Sequence, residues 1–97
     1  MKPTFLELRH LRTLLALKET GSVSMAAKRV YLTQSALSHQ IKLMEEQFGL
    51  PLFERKSNPL RFTAAGDRLI RLANEILPKV VDAERELARV KHGDAGP

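Results

Sequence analysis

Residues 21–49 read GSVSMAAKRVYLTQSALSHQIKLMEEQFG, and the punctuation of this stretch decides the fold. Gly21 can turn left-handed and stop a preceding helix. Ser22 and Ser24 each offer a hydroxyl to a free N–H at the start of a second helix; Ser24 is preferred, with a short helix over 25–30. Thr33 is a natural cap for a third helix over 34–48, and Gly49 ends it. Ala26 and Ala27 are small enough for another helix to cross closely, with Val30 and Leu32 buried beneath. On the third helix Ala36, Leu37, Ile41, Met44 and Phe48 lie on or near one inner face, which Leu43 broadens.

Working outward, the chain before Gly21 predicts a first helix starting near residues 5–7, favoured by Pro3 and Thr4. Leu8, Leu11, Leu14 and Leu15 supply its buried face, widened by Phe5 and Leu17, while Arg9, Arg12 and Lys18 are solvated. After Gly49 the segment 51–63 has two short strand-like arms, Leu52-Phe53 and Leu60-Arg61-Phe62, around the turn chemistry of Lys56-Ser57-Asn58-Pro59. A two-stranded hairpin is marginal alone, so it must pack on the helices through Leu52, Phe53 and Phe62. Thr63 caps a long last helix over 64–91. Gly66, Leu69, Ala73, Ile76, Val80, Ala83, Leu87 and Val90 follow one another at spacings of three and four, the seam of a helix that pairs with another, with the core face of a monomeric bundle or a partner of another kind as the rival readings. Pro78 predicts a kink near 74–77, and residues 92–97 read as a frayed tail at the start of a linker.

Charge is unevenly placed. The 97 residues carry a net charge of +5 with a pI near 10.0, which suggests a polyanionic partner. Residues 1–65 hold ten Lys/Arg against five Asp/Glu, and residues 66–97 hold six of each, so the basic excess belongs wholly to the helices and hairpin. With no cysteine, a disulfide framework and a Cys-based zinc finger are excluded. His10, His39 and His92 are too far apart for a metal site, and no nucleophile–base constellation or Gly-rich phosphate loop is present, so catalysis is not expected. No apolar run approaches the roughly 20 residues of a membrane span, nor does the N-terminus resemble a signal peptide; the cytoplasm is the default location.

Gln34, Ser35, Ser38, His39 and Lys42 share the outward face of the third helix at its N-terminal half. Gln can pair bidentately with adenine, Ser is permissive, and Lys or His reaches guanine or phosphate. The alternative is an ordinary solvated face. A helix pair that presents its second helix in this way is a helix-turn-helix, and Arg55, Lys56 and Arg61 then form a basic wing expected on the DNA backbone. Thr33 and Thr63 are caps first, with phosphate contact a second role. A rival reading is a protein-interaction adaptor whose basic face meets an acidic protein; the small polar start of the third helix argues against it.

The order of these residues closely resembles the N-terminal domain of the LysR-type transcriptional regulators. Gly21-Ser22, Ala26-Ala27, Thr33-Gln34, Ala36-Leu37-Ser38, Gln40-Ile41, Phe48-Gly49, Leu52-Phe53, Arg55 and Thr63-Ala64-Ala65-Gly66 all fall in register with that pattern, from Leu8 to Gly66. Met44-Glu45 stands where the family has Leu-Glu, and His39 and Asn58 stand where many members carry Arg. TQSALSHQ and RKSNPLRFT are most similar to the branch that regulates methionine biosynthesis. The resemblance implies a mainly α winged helix-turn-helix over 1–63 and a dimerisation helix over 64–91. It also implies transcription regulation through double-stranded DNA, by a bacterial, nucleoid-associated protein. Leu69, Ala73, Ile76, Val80 and Leu87 are the dimerisation residues of a homodimer on an inverted-repeat operator, with a tetramer open to the full-length protein. Family members are longer and bind a small-molecule co-inducer in a C-terminal domain. Nothing in this sequence forms that domain, so no cofactor is expected here and the chain reads as a piece ending in the linker.

Overall fold

A computed structural model of the chain describes residues 4–54 and 57–93, within which it forms α1 (Leu8–Thr20), α2 (Val23–Arg29), α3 (Gln34–Phe48) and α4 (Ala64–Lys91). Helix α1 begins slightly later than expected because Glu7 is the extended residue before its first turn (φ −121°, ψ 163°). The Glu7 N–H donates to His10 Nδ1 at 3.0 Å, and the imidazole stacks on Phe5 with ring centroids 5.0 Å apart. Leu11, Leu14 and Leu17 form the buried face, whereas Leu8, expected there, is 37% exposed. Gly21, at φ 68°, donates to Leu17 O at 2.8 Å and stops the helix as expected.

Ser22, rather than Ser24, caps α2: its Oγ accepts from the Met25 N–H at 3.2 Å. The choice is made by Thr20, whose hydroxyl donates to Ala16 O at 2.8 Å and accepts from the Ser22 N–H at 3.3 Å. Ser22 is thereby held extended just past the turn, and α2 starts at Val23. The close crossing expected at Ala26 and Ala27 is present, both being buried in a cluster with Ala16, Leu17 and Leu37. Helix α2 ends through two back-reaching bonds, Leu32 N–H to Ala27 O at 2.9 Å and Tyr31 N–H to Lys28 O at 3.2 Å. Between them Tyr31 sits at φ 59°, the left-handed position that glycine normally fills. A residue with a Cβ there costs roughly 1–2 kcal/mol.

Helix α3 has the expected bounds. Thr33 Oγ1 accepts from the Ala36 N–H at 3.0 Å, and Gly49, at φ 68°, closes the C-terminus. Leu37 and Met44 are its fully buried residues, two turns apart, and Ile41 between them is half-buried. Ala36 and Phe48 are exposed, contrary to expectation; all three residues of the first turn project beyond the core.

The wing arms meet at one antiparallel bridge, Phe53 with Phe62, flanked by Glu54 N–H to Arg61 O and Thr63 N–H to Leu52 O, both 3.0 Å. This is less regular than a pair of strands; Pro51 and Pro59 have no N–H with which to lengthen a ladder. Packing fixes the arms instead. Leu52 is buried, Phe53 and Phe62 meet edge-to-face at 4.5 Å, and Glu45 Oε2 accepts the Leu52 N–H at 2.7 Å. A second core cluster joins Leu14 of α1, Met44 of α3, Leu52 of the wing and Ile70 of α4, so α1 lies between the helix pair and α4.

Thr63 caps α4 as expected, accepting from the Gly66 N–H at 3.2 Å. The seam, however, divides. Of its residues Gly66 and Ala73 are buried, together with Ile70 beside them, and Ala73, expected as a dimer contact, is 0% exposed and belongs to the chain's own core. Leu69, Ile76 and Val80 are half-buried, and every residue from Val81 to Gly93 is exposed. The helix runs unbroken through Pro78. The rest of the tail, residues 94–97, lies outside the described residues.

Candidate nucleic-acid interface

At 100° per residue, Gln34, Ser35, Ser38, His39 and Lys42 fall within an arc of about 140° on α3. All five are exposed, while Leu37 and Met44 anchor the buried side and half-buried Ile41 borders the arc beside Gln34. The expected face is therefore assembled on a helix whose rear is fixed in both core clusters. Its first turn combines projecting small polar side chains with backbone N–H groups, one of which, at Ala36, is taken by Thr33. Thr33 itself is exposed, so its hydroxyl can reach a ligand while capping. Lys28, Arg29 and Lys42 are exposed near this end, and the Arg29–Glu19 pair at 2.9 Å, exposed on both sides, is worth only about 0–1 kcal/mol.

On the wing, Arg61 is exposed and its N–H donates to Ser57 Oγ at 2.9 Å, while Ser57 Oγ donates to Glu54 O at 3.0 Å. This small network braces the loop from within. Arg55 and Lys56, the other basic residues expected there, lie outside the described residues. Thr63 does not suit the second role expected of it. Its hydroxyl proton is committed to Pro51 O at 2.7 Å and its oxygen accepts from Gly66, which ties the start of the wing to the start of α4. Lys18 lies with Nζ 5.5 Å from the Phe62 ring centroid, a cation–π contact on the wing's base.

His10 was not expected to matter, yet it is buried at the start of α1. Burial pushes its pKa below the ordinary 6.5, Arg9 adds to the depression, and Glu7 opposes it. Its Nδ1 must also stay unprotonated to accept from Glu7. With the folded-state pKa lowered, the stabilisation is complete above about pH 6.5 and is lost as the pH falls through the folded value. We expect the melting temperature to fall as the pH drops below about 6.5, and this fall to be reduced in His10→Gln. Parallel curves for parent and variant would assign the acid sensitivity to other groups.

Two further residues escaped the sequence. Glu45 anchors the wing through a backbone N–H, a contact that no local pattern announces. Tyr31, in the turn between α2 and α3, is 94% exposed; the missing glycine after a short helix was its one signal.

Residues 8–67 match the sequence profile of the bacterial regulatory helix-turn-helix proteins of the lysR family. The chain is 90% identical over 96 residues to the HTH-type transcriptional regulator MetR of Haemophilus influenzae, covering 99% of this chain and 31% of that protein. To MetR of Escherichia coli K12 it is 50% identical over 78 residues, covering 80% of this chain and 25% of that protein. These relatives agree with the branch that TQSALSHQ and RKSNPLRFT suggest. The crystal structure of BenM_DBD with catB site 1 DNA is similar at a TM-score of 0.81 and 35% identity, covering 91% of this chain and 95% of that one. DarR of Vibrio fischeri, solved in complex with DNA, is similar at 0.79 and 26%, covering 92% and 30%. This chain thus spans less than a third of the curated relatives' length. On the profile match and these identities, the chain belongs to the lysR family of bacterial regulatory helix-turn-helix proteins.

Proposed function

We propose that this chain is the DNA-reading domain of a transcriptional regulator and binds duplex DNA sequence-specifically. The observation that carries this reading is the exposed N-terminal half of α3, with Gln34, Ser35, Ser38, His39 and Lys42 on one arc and a rear face locked into the core. Such a helix end fits the major groove, where Gln34 can pair with adenine and Lys42 or His39 with guanine or phosphate. The wing, residues 51–63, lies on the backbone or in the minor groove with Arg55, Lys56 and Arg61. The domain works as a homodimer on an inverted repeat, joined through α4. It acts by binding rather than catalysis, in the bacterial cytoplasm, and a small-molecule co-inducer is bound by the remainder of a longer protein.

The test is an electrophoretic shift at moderate salt with the duplex selected from a random pool, challenged by unrelated competitor DNA. Retention of the selected duplex supports the reading. Equal loss of all duplexes, with capture of acidic protein instead, would make the basic face an adaptor. On the selected duplex, Gln34→Ala is expected to lower discrimination by about 1–3 kcal/mol, roughly 5- to 150-fold, with little change on unrelated DNA. A variant that keeps the parent's ratio of the two affinities would remove Gln34 from base reading.

A further inference from the structure

We propose that Tyr31 positions the domain on DNA, its phenol hydroxyl donating to a backbone phosphate beside the bases that α3 reads. The inference rests on the DNA-binding reading above and extends it to a residue outside the helix and the wing. Among the described residues, Tyr31 is the non-glycine residue with positive φ, at 59°. Its place between the two bonds that end α2 requires the left-handed conformation, which glycine would adopt without penalty. Aromatic side chains ordinarily repay such a penalty by packing, since they carry the largest apolar surface. This one does not, being 94% exposed. A residue disfavoured by its backbone and unrewarded by the core points to a contact outside the chain.

The position says which contact. Tyr31 precedes Gln34 by three residues, so their Cα atoms are at most about 11 Å apart, and its exposed side chain springs from the turn leading into the end of α3 proposed to enter the groove. Lys28 and Arg29, both exposed, occupy the last turn of α2 directly before it. A cationic surround and a neutral O–H donor suit an anionic oxygen, and phosphate is the group that a duplex presents along the groove edge.

Binding of parent, Tyr31→Phe and Tyr31→Gly is to be measured by fluorescence anisotropy on the selected duplex and on an unrelated one, across a salt series, with melting temperatures alongside. Loss of a hydrogen bond to a charged acceptor should raise Kd roughly tenfold for Tyr31→Phe on both duplexes. Their ratio stays unchanged, as a backbone contact requires. The slope of log K against log salt also stays unchanged, because a neutral donor releases no counterion. Tyr31→Gly should bind at least as weakly while melting no lower than the parent. Parent-like binding by Tyr31→Phe would overturn the proposal alone, and a changed ratio would replace phosphate with a base. Failure of the parent to bind either duplex would overturn the DNA reading itself, and this inference with it.

Discussion

Gly66→Ala is expected to lower the melting temperature, by up to roughly 15 °C, although Ala is the better helix former by roughly 1 kcal/mol. Gly66 is the third residue of α4 and is buried where the helix passes the wing. A Cβ on it would collide with the carbonyl oxygen of Leu52 and come within 2.9 Å of Phe62 Cδ2. Phe62 can yield by turning its ring. Leu52 O cannot, because it accepts the Thr63 N–H and the same residue's N–H is held by Glu45. Either α4 lifts from the second core cluster or the wing arm leaves α3, and overpacking against backbone of this kind costs about 1–3 kcal/mol or more. Each lost kcal/mol shifts a domain of this size by roughly 4–8 °C. A Gly66→Ala domain as stable as the parent would show that wing and helix separate at little cost, and that the family's glycine here has another purpose.

What the sequence disclosed and what it hid follow from the range of the interactions involved. The bounds of α3 were legible because both are set locally, by the Thr33 hydroxyl at one end and the left-handed Gly49 at the other. The outward face was legible for the same reason: helical periodicity alone separates Gln34, Ser35, Ser38, His39 and Lys42 from Leu37 and Met44. The start of α2 was misplaced because two serines have identical chemistry, and the choice between them rests on Thr20, a residue of the preceding helix. Tyr31 broke the rule that glycine marks a left-handed turn. The wing's anchorage to Glu45 and the double duty of Thr63 depend on contacts across the fold, which no spacing encodes. The seam of α4 failed in a different way. Periodicity identifies an apolar face but not what covers it, and the same spacing serves the chain's own core as far as Ala73 and lies open beyond Val80.

That open half of α4 gives the second large effect: Leu87→Glu is expected to convert a dimer into a monomer. Leu87 and Val90 are 68% and 62% exposed, and Val81 is 41% exposed, on a segment with no buried residue. The upstream half-buried residues Leu69, Ile76 and Val80 continue the same helix, and Ile76 also lines an apolar groove with Phe5, Leu8, Leu11, Phe48 and Leu72. In the homodimer proposed above, a second copy would bring both kinds of surface together twice over, as two-fold symmetry requires. Ile76→Glu would disturb the chain's own packing as well, so Leu87 is the cleaner probe. Burying the exposed part of a leucine contributes on the order of 1–2 kcal/mol, and symmetry doubles it. A carboxylate in its place adds a desolvation cost, so the dimer dissociation constant should rise by at least about two orders of magnitude. The variant should keep its helical circular dichroism and its weak affinity for a half-site. It should lose most of its affinity for a full inverted repeat, because the two recognition helices no longer arrive together about 34 Å apart. Sedimentation decides the matter: a Leu87→Glu protein still dimeric at micromolar concentration would mean that a surface other than the distal half of α4 holds the protomers together.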